Sequence, residues 1–166
     1  MNAYTTEGWG ELFLADAGAS AALAGLLFVA VSINLDRIIA LRGLPGAALG
    51  AIALLVAVLL VSTFGLVPGQ PRWLLAGEVL VVGIAAWSIM TVIWLRALRA
   101  PVPGQPRFVP VLSTVVTQAA TLPIVVAGVS LLLRAGGGLY WLVPGLALSL
   151  VVAVTNAWVL LVEVVR

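Results

Sequence analysis

Five runs of apolar residues alternate with short polar stretches along the chain, at about Ala17 to Leu35, Gly46 to Val67, Trp73 to Leu95, Val109 to Leu133 and Tyr140 to Val162. A helix rises 1.5 Å per residue, so roughly 20 apolar residues cross the ~30 Å hydrocarbon core of a bilayer. The pattern predicts an all-α integral membrane protein, a single bundle of five transmembrane helices over residues 1–166. Ahead of the first run, Trp9, Leu12 and Phe13 stand at i, i+3 and i+4 while Glu7 and Glu11 face elsewhere. That spacing predicts a short interfacial amphipathic helix over about residues 5–13, lying on the membrane surface.

Composition agrees with the pattern: 63% of the 166 residues are hydrophobic and 8% are charged, against roughly 25% charged in a soluble domain. So few charges cannot clothe an apolar core of this size in water. The amino terminus has no basic stretch ahead of its first apolar run, and that run is long enough to span, so it is expected to stay as a helix rather than leave as a signal peptide.

All the cations are arginines, and they fall unevenly between the two faces that five spans define. Arg37, Arg42, Arg96, Arg99, Arg107 and Arg166 lie at one face, Arg72 and Arg134 at the other. Arginine in short loops marks the cytoplasmic side. The expected location is a bacterial inner membrane, with the amino terminus outside and the carboxyl terminus in the cytoplasm. Val-Pro-Gly-Gln-Pro-Arg occurs twice, at 67–72 and at 102–107, once on each face. Pro-Gly suits a type II turn, and Pro followed by Arg suits a helix start at the headgroups. Turn chemistry accounts for both copies; an inverted repeat would also place them on opposite faces.

Polar residues inside the spans are the candidates for chemistry. In the first span Gly18 and Ala22, and Ala21 and Gly25, stand four apart, a spacing that lets helix backbones approach closely and makes these four a candidate packing face. The fourth span carries Ser113, Thr114, Thr117, Gln118 and Thr121 on one face, ahead of a kink expected at Pro123. Such a stripe turns toward another helix or toward water, and hydroxyls bonded back to their own helix are the plainer reading. Asn34, Gln118 and Asn156 fall at comparable depth, so with Thr117 and Thr121 they form either a structural hydrogen-bond network or the lining of a vestibule. Glu78 sits about five residues into the third span, roughly 8 Å below the interface. An ionisable side chain at that depth is a functional candidate, with Arg72 and Arg134 as its expected partners.

The absences exclude more. With no Cys, His or Lys in the chain, thiolate nucleophiles, imidazole bases, Schiff-base lysines and histidine-ligated metals are out of reach. The aspartates Asp16 and Asp36 bracket the first span rather than meeting within it, so the paired-aspartate arrangement of intramembrane proteolysis is not formed either. No enzymatic activity, cofactor or metal is expected, and no nucleic acid is expected as a partner.

The opening stretch TTEGWGELFLADAGASAALAGLLFVAVSINLDRI and the closing stretch LVPGLALSLVVAVTNAWVLLVEVVR resemble small bacterial multi-pass membrane proteins described as modulators of the membrane protease FtsH. That resemblance implies a regulatory role in the inner membrane and carries no functional residues with it. Two functions are expected from the residues themselves. One is a homo-oligomeric channel or transport path for ions or small solutes, with Glu78 at its mouth and Asn34, Gln118 and Asn156 along its inner half. The other is an assembly subunit that joins a larger membrane complex through Gly18, Ala21, Ala22 and Gly25. In either case the partners are the lipid bilayer and further protein, either copies of this chain or the complex.

Overall fold

The computed structural model describes residues 3–41, 43–99 and 108–163, with no side-chain description for 108–111 and 161–163. The second Val-Pro-Gly-Gln-Pro-Arg, together with Arg42, Arg107 and Arg166, lies outside the described residues, as does the side chain of Glu163. The elements are α1 (Gly10–Ile33), α2 (Leu35–Ala40), α3 (Leu44–Gly65), α4 (Arg72–Arg99), α5 (Phe108–Leu133), a short 3₁₀ turn (Gly138–Trp141) and α6 (Leu142–Glu163). No strand occurs among the described residues. Five of the helices are long and apolar enough to cross a membrane, and each overlaps one of the five apolar runs.

Local chemistry sets the boundaries. Gly43, at φ 93°, turns the chain into α3, whose first turn holds Pro45, a residue that needs no N–H there. After α3, Pro68 and Gly69 (φ 67°) make the tight connection, and Pro71 precedes the first residue of α4. α5 continues as one helix through Pro123. Beyond it, Arg134, Gly136, Gly137 and Gly138 all take positive φ, which compresses the α5–α6 turn.

Helices α3, α4, α5 and α6 pack in a closed ring, each on the next and α6 back on α3, while α1 lies outside against α3 and α6. The α4–α5 pair is the most extensive contact. Glycine makes that approach possible: a methyl carbon on Gly128 would stand 2.8 Å from Leu80 Cα, and one on Gly83 would stand 3.0 Å from the Val125 nitrogen. The ring interior is filled with side chains. Val58, Val61, Val79, Ile124 and Leu146 occupy the half nearer the amino terminus, and Leu44, Leu54, Met90, Ala120 and Leu160 the arginine-rich half.

The outside is as apolar as the inside. Ile33 is 76% exposed, Leu26 69% and Val81 68%, a surface that water disfavours and hydrocarbon accepts. The bundle therefore fits a multi-pass membrane protein.

The amino-terminal segment differs from expectation. Residues 3–9 form turns, and Gly10 onward is already α1, so no separate interfacial helix covers 5–13. Trp9 and Phe13, expected to lie on the membrane, are buried in the core at 4% and 0% exposure. Trp9 meets Tyr140 edge to face at 5.0 Å between centroids, the Ala3 carbonyl accepts from the Leu139 N–H at 2.8 Å, and the Tyr4 hydroxyl accepts from the Gly137 N–H. The segment is held by the α5–α6 turn, and burial of two aromatic rings there outweighs what the interface offers them.

Candidate polar site and packing face

The connection between α3 and α4 brings the most consequential polar contact. Glu78 projects from the second turn of α4 and is half-buried; its carboxylate accepts a hydrogen bond from the Gln70 amide N–H. Gln70 belongs to the first Val-Pro-Gly-Gln-Pro-Arg, and the turn at Gly69 folds it back over the helix. Its other amide atom, Oε1, is buried without a hydrogen-bond partner. Arg72, an expected partner of Glu78, instead turns to the end of α5 and donates to the Leu131 carbonyl, with a longer contact of 3.5 Å to Leu132 O. Those carbonyls end a helix and have no intrahelical donor, and a guanidinium supplies what they lack. No ion pair to Glu78 forms among the described residues, so neither Arg72 nor Arg134 neutralises it.

The stripe on α5 resolves residue by residue. Thr117 donates to Ser113 O at 2.7 Å and Thr121 to Thr117 O at 3.1 Å, both within their own helix. Gln118 reaches across to α4, its Nε2 lying 3.3 Å from Thr91 Oγ1, while its Oε1 is buried and unpartnered. Asn34 stands between α1 and α2, and its side-chain amide and backbone N–H both donate to Ala30 O, at 3.0 and 3.3 Å. Asn156 is half-buried on α6. The hydrogen bonds of Asn34 and Gln118 thus run to Ala30 and Thr91, not to each other or to Asn156. Since α1 packs chiefly on α3 and α6, and α5 on α4 and α6, equal depth does not bring Asn34 and Gln118 together.

The small residues of α1 face outward. Phe13, Ser20, Leu27 and Ala30 make its buried side, whereas Gly18, Ala21, Ala22 and Gly25 are all exposed. A methyl carbon on Gly18 or Gly25 would meet nothing within 4 Å. The close-packing motif is therefore not used within this chain.

Sequence reasoning missed Gln70, Thr91 and the clasp of Arg72 on α5. The signal for Gln70 was its place two residues before a helix start, from which a side chain reaches back over the first turns. Among the described residues no group of three or more Asp or Glu stands ready to hold a metal. No family model, curated protein or solved structure matches this chain.

Proposed function

We propose that this chain is a non-enzymatic, multi-pass membrane protein that acts as an assembly subunit, associating through the outward face of α1. The observation that carries this reading is the orientation of Gly18, Ala21, Ala22 and Gly25, which are exposed with open space before both glycines. In lipid, helices associate by close packing, hydrogen bonds and lipid entropy, because tails are as apolar as leucine. A groove of small residues on an otherwise bulky surface supplies the close approach. The apolar side chains that fill the interior of the four-helix ring among the described residues support the same reading. The likeness of the chain's two ends to FtsH modulators makes a larger inner-membrane complex the natural partner beside further copies of the chain.

The test is Gly18→Leu with Gly25→Leu, read by native mass and co-purification after gentle extraction. Association is expected to fall by at least about tenfold, the loss of roughly 1.4 kcal/mol or more of packing, while thermal stability of the bundle stays as it was. Retention of the assembly in the double variant would exclude α1 as the contact.

A second reading, a path for ions between copies of the chain, is favoured by Glu78. A half-buried carboxylate in a span, with no arginine on it, marks ion pathways more often than it marks structure. Flux from reconstituted liposomes that changes selectivity with Glu78→Gln supports this reading, and absence of flux from well-folded protein removes it.

A further inference from the structure

We propose that Glu78 and Gln70 form a binding site for one small monovalent cation, an inference that does not depend on association through α1. The contact between these two residues offers two acceptors, the Glu78 carboxylate and Gln70 Oε1. The Gln70 amide N–H donates to the Glu78 carboxylate, and the amide oxygen, which shares a carbon with that nitrogen, is buried with no donor. One ion can therefore touch both the carboxylate and Gln70 Oε1, and it satisfies a buried acceptor that otherwise has no donor.

Neither Arg72 nor Arg134 pairs with Glu78. Arg72 is committed to the carbonyls of Leu131 and Leu132, and Arg134 leaves α5 in the left-handed region on the α5–α6 turn. The connection itself is poor in N–H donors, because Pro68 and Pro71 have none. A carboxylate within a span is stable when paired, and here the Gln70 amide is its sole protein partner among the described residues.

Charge and ligand number define the class of ion. One carboxylate neutralises one positive charge, leaving a site with no net charge, which a low dielectric tolerates. Calcium asks for six to eight oxygens, commonly several of them carboxylates, and no such group exists among the described residues. The half-exposed position of Glu78, on the second turn of α4, leaves a short way in from the end of the bundle.

The experiment uses full-length protein in detergent, equilibrated in choline chloride, with radiolabelled sodium and rubidium as probes. Saturable binding of either ion at about one per chain is expected. Glu78→Gln, which keeps shape and removes charge, is expected to lower affinity by at least about tenfold, and Gln70→Ala by a few-fold. Arg72→Ala, which loosens the clasp on α5 and leaves both site residues in place, is expected to keep binding in the folded fraction. No saturable uptake of either ion, or unchanged affinity in Glu78→Gln, overturns the site. If Glu78→Gln does not fold, unchanged affinity in Gln70→Ala overturns it equally.

Discussion

Glycine positions on α4 and α5 show how far one methyl group decides packing in this bundle. On Gly128 the new carbon would lie 2.8 Å from Leu80 Cα and 2.9 Å from the Leu80 nitrogen, which are backbone atoms with nowhere to go. Gly77, on the same α4 as Leu80, has nothing within 4 Å. Gly128→Ala is expected to destabilise by about 1–3 kcal/mol through overpacking. Gly77→Ala is expected to be neutral or to stabilise by up to ~1 kcal/mol, because alanine suits a helix interior better than glycine. Thermal unfolding in detergent, followed by circular dichroism, separates the two; equal effects would mean that α4 and α5 are not pressed together at Leu80. The sequence alone did not distinguish these glycines, since both sit in apolar runs and azimuth is invisible until neighbouring helices are placed. The same limit applied to Glu78, whose partner was sought among arginines by charge and found in an amide brought back by a turn.

Elements were legible where one physical term dominates. Hydrophobic transfer alone requires five long helices, and all five were readable in the alternation of apolar and polar stretches. The amino-terminal segment was not, because the spacing of Trp9, Leu12 and Phe13 says that one face is apolar without saying what covers it. A water–lipid interface and a neighbouring helix both satisfy that pattern, and here the α5–α6 turn, through Tyr140, Leu139 and Gly137, supplies the cover. How α4 is fixed to α5 depends on a side chain at an element end. Arg72 begins α4 and its guanidinium takes carbonyls that end α5, closing both boundaries with one residue. Charged hydrogen bonds of this kind contribute about 1.5–3 kcal/mol. Arg72→Ala is expected to lower stability by about that amount and to speed amide exchange at the last turn of α5 while leaving the last turn of α3 unchanged. A loss spread evenly over all helices would mean that the arginine acts on the whole bundle rather than as a clasp.

At the scale of the whole molecule, the small residues of α1 were readable as a packing motif, but not the partner they serve, because spacing is the same for an inward and an outward face. Direction across the membrane rests on a different signal, the arginine census. Three described arginines, Arg37, Arg96 and Arg99, are exposed at the end opposite the amino terminus, and the other end carries Arg72 and Arg134 with the exposed acids Glu7 and Glu11. The chain contains no cysteine, so single cysteines report location without background. Thr5, Pro68, Ala135 and Leu41 are exposed and lie outside the long helices. Cysteine at Thr5, Pro68 or Ala135 is expected to react with an impermeant maleimide in intact cells stripped of their outer membrane, and cysteine at Leu41 only after the membrane is opened. The two halves of this pattern carry separate weight. Thr5 and Leu41 labelled from the same side would mean that α1 does not cross, which breaks the five-span bundle at its first helix. All four positions reversed would leave the bundle standing and show that the excess of arginine at one face does not set its direction across the membrane.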